Sequence, residues 1–288
     1  AGLERAEHLV LRERGRPGDG RARDPRGVPC PCSFFAGASA PFHPRVEGGF
    51  VRFRRVAREL TRTVKRDLEV AKEQAQLRTP DGSPVELYKL LPAMGEPELV
   101  HSAIPAGATV LELGCGAGRI THALGALGHP VTAVDESPEM LAEVRGAQTV
   151  LSRIEDLDLG RSFGCVLLMS NLVNNEDDKR RAFVRTCRRH VADDGVVLIE
   201  RMDPQPRWGS SVGEYGPFHI EVELQPDGDS LRGIVVYSLP DGRRWTHRFG
   251  PGGRVLDDDA IRTELADAGL RLERIFGPRR RWCLARPT

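Results

Sequence analysis

The chain has 288 residues, of which 40% are hydrophobic, so it can build one large core or one core with an added subdomain. Its 42 lysine and arginine residues almost balance 41 aspartate and glutamate residues, which argues against the basic surface of a nucleic-acid-binding protein. The sequence has no run of the ~18 apolar residues that a membrane span needs, and residues 1–10 lack the apolar core of a signal peptide. We therefore expect a cytoplasmic protein with no nucleic-acid or membrane partner.

Two regions precede the part of the chain that carries clear motifs. Residues 1–49 are rich in arginine, glycine and proline, a composition that predicts a poorly ordered extension. In residues 50–104, apolar side chains recur three and four positions apart with charges between them. This period predicts amphipathic helices.

The six cysteines do not predict a metal site. Only Cys30 and Cys32 lie close together in the sequence, and His43 is the single further ligand near them. A zinc site needs more cysteine or histidine residues at defined spacing. Cys115 lies inside a glycine-rich turn, where we expect a small packing residue rather than a nucleophile.

A glycine-rich turn within residues 110–119 carries the strongest functional signal. An apolar run predicts a buried strand, and Gly114, Gly116 and Gly118 follow it at alternate positions before a helical stretch. Glycines here let a ligand approach the backbone, and the start of the helix offers free N–H groups. The spacing is G-x-G-x-G, whereas a dinucleotide turn has G-x-G-x-x-G. Glu112 would repel a pyrophosphate but would suit a ligand with an amino group.

The next strand agrees with a ligand site at this turn. Residues 130–134 form a short apolar run, and Asp135 stands at its end, about 20 residues past the glycines. A carboxylate at this position can accept hydrogen bonds from both hydroxyls of a ribose. Ser137 is a candidate N-cap and Pro138 a candidate first helical residue, so we expect a helix to follow.

These residues resemble a known family. The string ELGCGAGR at 112–119 resembles motif I of the class I S-adenosylmethionine-dependent methyltransferases, and VDESPEML at 134–141 resembles their second motif. The resemblance implies an α/β, Rossmann-like sheet with an N-terminal helical lid. It also implies S-adenosyl-L-methionine as cofactor, with S-adenosyl-L-homocysteine as product. The implied cofactor-binding residues are Glu112, Gly114, Cys115, Gly116, Gly118, Arg119, Asp135, Glu136, Met140, Ile154, Glu155, Met169, Ser170 and Asn171.

The match departs from the family after the third strand, which is predicted at residues 148–151. Many relatives have an acid there that binds the adenine amino group, but this chain has Arg153 at that position. The resemblance therefore gives the adenine role to the backbone of Ile154 and to Glu155. A fourth strand is predicted at residues 163–169, and the family places the residues that follow it at the methionine end of the cofactor and the substrate mouth.

The substrate side is expected at the ends of strands four and five. The asparagines after strand four, Asn174 among them, form turns about as often as they bind ligands. After a predicted turn at residues 193–195, residues 196–201 predict strand five. Its last residues, Glu200 and Arg201, come close to where a substrate lies in an open α/β sheet.

An antiparallel meander is predicted after strand five, as a cap at about residues 217–250 within a methyltransferase domain of residues 105–288. Turns with the sequences PDGD and PDG separate its segments. A helix that begins after Asp257 and two closing strands are expected to follow. The alternating segments that predict strands are 218–224, 230–239 and 243–249.

A site covered by such a cap suits a small molecule or a peptide better than a folded protein or a duplex. Tyr88, in the lid, is predicted to close over the sulfonium or the carboxylate of the cofactor, with His101 as a second candidate. His219 or Glu221 is predicted to orient the nucleophile or to take its proton. The candidate substrate-facing residues are Trp208, Tyr215, His219, Glu221 and His247.

From about residue 88 onward, the chain also resembles methyltransferases of bacterial natural-product pathways. The strings DDGVVLIER and RRWTHRF belong to this likeness. We note in particular enzymes that accompany ribosomal peptides such as daptides, in which a terminal amine is dimethylated. This implies N-methylation of a small molecule or a peptide terminus. A small-molecule O-methyltransferase and a non-catalytic or NAD(P)-binding Rossmann domain remain alternatives.

Overall fold

The structure, a computed structural model, describes residues 78–79, 82–228 and 230–288. All of these residues belong to one compact unit. The predicted extension at residues 1–49 lies outside the described residues. So do residues 50–77 of the predicted lid, together with Cys30, Cys32 and His43.

A seven-stranded sheet forms the centre of the described part. Its order is β10-β11-β5-β4-β1-β2-β3; β1 to β5 are parallel, and β11 runs antiparallel to its neighbours β5 and β10. This arrangement confirms the Rossmann-like α/β sheet that the motifs predict. The strands are β1 Val110–Leu113, β2 Val131–Asp135, β3 Gln148–Leu151, β4 Phe163–Leu168, β5 Val191–Glu200, β10 Leu270–Phe276 and β11 Trp282–Pro287.

Helices cover both faces of this sheet because its strands are apolar on both sides. Val166 and Val197 on one face pack under α5 and α6, whereas Val110, Leu167 and Leu198 on the other face pack under α2 and α3. None of the described helices has the length and apolar character required to cross a bilayer. The helices are α1 Val85–Leu90, α2 Glu96–Ala103, α3 Arg119–Ala126, α4 Pro138–Leu141, α5 Asp177–His190 and α6 Asp258–Asp267.

The predicted helix caps are present. The Ser137 hydroxyl accepts a hydrogen bond from the Met140 backbone N–H at 3.2 Å, and the Asp257 carboxylate accepts one from Ala260 at 2.8 Å. Each cap satisfies an N–H group that has no partner within its own helix. The sequence therefore determined where α4 and α6 begin, although α4 ends after a single turn.

The meander forms a separate four-stranded antiparallel sheet in the order β6-β7-β8-β9. The three predicted strands are present as β7, β8 and β9, but the sheet begins at Gly209 rather than near residue 217, because one further strand, β6, precedes them. The missed strand has the sequence GSSVGEY, in which glycine and serine hide the alternation that marks a strand. The strands are β6 Gly209–Tyr215, β7 Phe218–Asp227, β8 Ser230–Ser238 and β9 Arg244–Gly253.

The predicted turn at residues 193–195 lies inside β5 instead. The register between β4 and β5 shifts there, between Phe163 and Cys165. A Cβ atom on Gly195 would lie 2.9 Å from the carbonyl oxygen of Phe163. The two backbones therefore approach so closely that only glycine fits, and the strand continues through the segment that resembles a turn.

Candidate active site

The candidate site lies at the carboxyl ends of the parallel strands. Helix α3, which follows β1, and helix α5, which follows β4, cover opposite faces of the sheet. The direction in which successive strands are added to the sheet therefore reverses between the parallel neighbours β1 and β4, and open α/β sheets bind their ligands in the crevice at such a point. The glycine turn, Asp135 and the residues after β4 all lie at this edge.

The glycine turn between β1 and α3 has the conformation that its sequence predicts. Gly114, Gly116 and Gly118 have φ angles of 71°, 54° and 86°, in the left-handed region that favours glycine. A Cβ atom at Gly114 would lie 2.7 Å from Leu172 Cδ1. At Gly116 it would lie 3.5 Å from the ring of Tyr88, so it would occupy space beside the turn.

Asp135, at the end of β2, holds the glycine turn in place. Its Oδ2 accepts a hydrogen bond from the Gly116 backbone N–H at 2.8 Å, and its Oδ1 accepts one from the Ser137 N–H at 3.0 Å. The side chain is half-buried, and a carboxylate has about four acceptor positions in all. It can therefore support the turn and also accept hydroxyl groups of a ligand.

Glu112 is a buried carboxylate beneath the glycine turn. Only 4% of the residue is exposed, and its Oε2 accepts a hydrogen bond from the Thr121 hydroxyl at 2.5 Å. Burial raises the pKa of Glu112 to about 7, although Thr121 and the charge of Arg119 act to lower it. An amino group of a ligand would stabilise the ionised form of this carboxylate.

The predicted adenine end lies at the tip of β3. Ile154 is buried, and its Cδ1 would lie 3.7 Å from a Cβ atom at Gly114, so it borders the glycine turn. The Arg153 side chain is 59% exposed and pairs with Glu155, and its Nε lies 4.0 Å from Glu136 Oε2. Arg153 therefore holds the two carboxylates of this end together.

The segment after β4 is strained. Ser170 and Asn171 have φ angles of 54° and 62°, in a region that residues other than glycine rarely adopt. Met169, just before them, is buried. The Ser170 N–H donates to Glu200 Oε2 at 3.0 Å, and the Asn171 side-chain oxygen accepts from Arg281 at 3.2 Å. These contacts to β5 and to the residue before β11 hold the unusual conformation in place.

Tyr88, on α1, lies over the glycine turn. It packs against Ala117 and Met140, and a side chain at Gly116 would touch its ring. A cavity of about 330 Å³ opens beside Tyr88 and is also lined by Arg119. Cys115 is buried within the turn, and burial raises the pKa of its thiol far above the ordinary value. This suits the predicted packing role of Cys115 rather than a nucleophile.

Arg119, the first residue of α3, joins the segment before α2 to the meander. Its Nη1 lies 2.6 Å from Glu96 Oε1 and donates to Pro92 O and Tyr215 Oη, each at 3.3 Å. The Tyr215 hydroxyl donates to Pro92 O at 3.2 Å. Burial acts to lower the pKa of Arg119, but Glu96, Tyr215 and Glu200 together raise it above its ordinary value.

The meander turns its apolar face toward α1. Phe218 packs in edge-to-face geometry against Tyr237 and Trp245, with ring centroids 6.0 and 6.1 Å apart. These rings form a cluster with Leu87 of α1 and with Tyr215. Among the predicted substrate-facing residues, Tyr215 accepts a hydrogen bond from Arg119, the residue that directly follows the glycine turn.

Two predicted catalytic residues lie elsewhere. Because side chains alternate along a strand, His219 and Glu221 face away from the Phe218 side of the meander. His219 Nδ1 lies 3.1 Å from Glu214 Oε1, and Glu221 lies 3.3 Å from Arg244. The structure therefore does not bring them to the glycine turn, and their roles stay untested predictions.

Further predicted residues have structural contacts instead. His101 Nδ1 lies 2.9 Å from His129 Nε2, which is at the amino end of the sheet. The buried Asn174 side chain donates to Arg254 O and accepts from the Met202 N–H. Trp208 is 48% exposed, whereas His247 lies half-buried on β9.

Sequence reasoning missed Glu96 and Arg281, which pair with Arg119 and Glu200 respectively. Neither belongs to a motif, and both lie far along the chain from their partners. Only the closing of α2 and β11 onto the sheet brings these charges together. The pairing of strands β5 and β11 is the one signal that could have suggested Arg281.

The residues at this edge fit S-adenosyl-L-methionine. Gly116 leaves a space beside Tyr88 that a Cβ atom would enter, so a ligand can lie along the turn. Asp135 offers a carboxylate suited to ribose hydroxyls, and buried Glu112 offers one suited to an amino group. Glu112 would repel the pyrophosphate of a dinucleotide beside it, whereas Asp135 would suit the ribose of either kind of cofactor.

Comparisons with known proteins agree with this geometry. Residues 110–195 match the family model described as a methyltransferase domain. The chain is 31% identical over 112 residues to a ubiquinone biosynthesis O-methyltransferase of Xanthomonas axonopodis pv. citri (strain 306), covering 35% of this chain and 46% of the relative. It is 30% identical over 138 residues to a cypemycin N-terminal methyltransferase of Streptomyces sp, covering 43% and 56%. The chain thus spans about half the length of the curated relatives it matches.

Solved structures share the fold. The CcbJ methyltransferase of Streptomyces caelestis is 22% identical, with a TM-score of 0.56 over 68% of this chain and 91% of that one. Residues 110–195 thus match a methyltransferase domain, and the described fold is shared with a solved methyltransferase structure.

Proposed function

We propose that this protein transfers a methyl group from S-adenosyl-L-methionine to an amine, at the end of a peptide or in a small molecule of bacterial natural-product biosynthesis. The matched methyltransferase domain and the cofactor-suited edge support the transfer itself. The relative named as an N-terminal methyltransferase supports a peptide amine. The main observation in favour of an amine acceptor is the surplus of negative charge at the site.

Carboxylates outnumber guanidinium groups at the carboxyl edge of the sheet. Glu96 and Glu200 pair with Arg119 and Arg281, and the buried Glu112, whose pKa burial raises to about 7, adds negative charge in its ionised form. Asp135 contributes another carboxylate at the end of β2. Such a surplus favours a cationic acceptor and disfavours a phenolate or carboxylate, because like charges at short range repel strongly in a partly buried site.

The protein's own residues would mainly bind and orient. Bound S-adenosyl-L-methionine would supply a methyl group that is already activated by its sulfonium. Asp135 would hold the ribose hydroxyls and Glu112 the amino group. Tyr88 would cover the glycine turn and exclude water. The remaining task is to hold an acceptor in line at a separation of ~3–3.5 Å with its lone pair exposed.

Methyl transfer is tested with a cofactor labelled in its methyl group. The acceptors are trialanine amide, its N-acetylated form, and catechol as a hydroxyl acceptor. We expect label in trialanine amide alone, because only it has a free amine. Label in catechol alone would favour the O-methyltransferase alternative, which the ubiquinone-pathway relative also suggests. Label in none of the three would contradict the assignment of a peptide amine.

A further inference from the structure

Glu200, the last residue of β5, lies on the substrate side of the sheet. Along β5 the side chains alternate, so Glu200 shares a face with Val196 and Leu198, which cluster with Met169, the residue that follows β4. Glu112 shares this face because it follows Val110 by two positions. Glu112 is in register with Leu167 of β4, and Leu167 with Leu198 of β5, so Glu200 lies two residues further along the sheet. With strands ~4.8 Å apart and a rise of ~3.3 Å per residue, Glu112 and Glu200 are roughly 12 Å apart.

Glu200 is buried, yet two fixed donors hold it. Only 6% of the residue is exposed. Its Oε2 accepts from the Ser170 N–H at 3.0 Å, and its Oε1 lies 2.8 Å from Arg281 Nη2. Arg281 is itself fixed by a hydrogen bond to Arg201 O at 3.1 Å. This arrangement fixes the orientation of the carboxylate and leaves further acceptor positions on both oxygens.

The surroundings of Glu200 are those of a functional site rather than a surface ion pair. Its donor Ser170 belongs to the strained pair Ser170–Asn171, and such strain clusters at ligand sites. The pKa of Tyr215 is raised to about 12, mainly by burial, and the charge of Glu200 acts in the same direction. The charge of Glu200 also acts to raise the pKa of Arg119. The carboxylate therefore lies between the glycine turn and the meander.

We propose that Glu200 is the catalytic residue that receives the acceptor amine. This proposal rests on the proposed N-methylation. An amine that arrives as an ammonium ion donates a hydrogen bond to a Glu200 oxygen. Its N–H bond then breaks, the proton moves to the carboxylate, and the electron pair stays on nitrogen as the lone pair that takes the methyl group. Tyr215 borders the same space and closes it from the meander side.

Binding of an amine can be measured without turnover. The probe is trialanine amide, titrated calorimetrically into the protein saturated with S-adenosyl-L-homocysteine. We expect Glu200→Gln to weaken probe binding at least tenfold and to leave the affinity for S-adenosyl-L-homocysteine within twofold. The glutamine oxygen can still accept from Ser170, and Arg281 is 32% exposed and can be hydrated, so the fold should persist. Glu200→Asp, which keeps the charge, should retain more binding than Glu200→Gln.

The matched control is Glu273→Gln. Glu273 on β10 also pairs with arginines, Arg271 at 3.0 Å and Arg286 at 3.1 Å, but it lies at the far edge of the sheet. The Glu273→Gln variant should bind trialanine amide as tightly as the unaltered protein does. Equal probe binding by the unaltered protein and Glu200→Gln, including no binding by either, would overturn the role of Glu200. Probe binding that depends on Glu200, combined with methyl transfer to catechol alone, would instead overturn the proposed N-methylation.

A pH profile separates proton transfer from simple binding. Without Glu200, the amine must arrive already neutral, so the rate with trialanine amide should rise about tenfold per pH unit up to the amine pKa of ~8. The unaltered protein should show a shallower dependence in the same range. Identical profiles would contradict the proton-accepting step.

Discussion

Glu112 is a buried carboxylate, and its burial determines the pH range in which it titrates. Its pKa rises from the ordinary 4.5 to about 7 because burial penalises the charged form. Between these two pH values the folded protein binds more protons than the unfolded chain. The contribution of Glu112 to stability therefore decreases as pH rises through this window. Above pH 7 the full cost of a buried negative charge is present.

Glu112→Gln is therefore expected to stabilise the protein at pH 8, by up to about 3 kcal/mol, and to have a smaller effect at pH 5.5. The glutamine oxygen can still accept the hydrogen bond from Thr121. Urea unfolding of both proteins at the two pH values measures the difference. A gain that is equal at both values would mean that Glu112 does not titrate in this range.

Asp135 is expected to contribute to cofactor affinity through charge-assisted hydrogen bonds to ribose. Asp135→Ala should weaken binding of S-adenosyl-L-homocysteine roughly 10- to 100-fold, since hydrogen bonds to charged groups contribute about 1.5–3 kcal/mol. Calorimetry measures this. Asp156→Ala, which removes an exposed carboxylate after β3, is the control and should bind normally. Unchanged affinity in a folded Asp135→Ala protein would refute the ribose role.

At the scale of elements, two glycines at the ends of α3 distinguish two effects of adding a side chain. One effect is strain in a left-handed backbone, and the other is loss of the space that a ligand would occupy. Gly116 has a φ of 54°, and a Cβ atom there would meet only ordinary contacts with Tyr88 and Met140. Gly128, just after α3, has a φ of 88° with nothing within 4 Å. Alanine at either position incurs left-handed strain of roughly 1–2 kcal/mol. Only at Gly116 does the added methyl group enter the space beside the turn.

We therefore expect Gly116→Ala to lose most affinity for S-adenosyl-L-homocysteine, while Gly128→Ala retains it at a similar or greater cost in stability. Thermal unfolding measures the strain in both variants, and calorimetry measures the affinity. Equal affinities would indicate that the cofactor does not lie along Gly116.

The elements that the sequence predicted are those with a local signal. The strand before the glycine turn and the N-caps Ser137 and Asp257 follow from short patterns, and the Rossmann-like sheet follows from the family resemblance. Strand β6 was missed because glycine and serine carry no alternation. The faces of His219 and Glu221 were missed because alternation shows which residues share a face, not which face meets α1. That choice depends on Leu87, which packs against Phe218.

At the scale of the whole molecule, the candidate site is assembled from distant parts of the chain. Arg119 links the segment before α2 to β6, and Arg281 links β11 to β5 and the turn after β4. Nothing in a local motif specifies these pairs. They form only when the meander, the closing strands and the N-terminal helices all pack against one sheet, so the substrate side depends on the complete fold.

A cofactor that binds the folded chain alone must raise its unfolding temperature. At a concentration 100 times its dissociation constant, S-adenosyl-L-homocysteine should add about 2.7 kcal/mol. For a chain of this size each kcal/mol corresponds to about 2–4 °C, so we expect a rise of roughly 5–10 °C in thermal unfolding. NAD at equal concentration should produce no rise, because the glycine spacing and Glu112 oppose a pyrophosphate. The rise should shrink in Asp135→Ala and persist in Gly128→Ala. An equal or larger rise with NAD would contradict the cofactor assignment and favour a dinucleotide-binding domain.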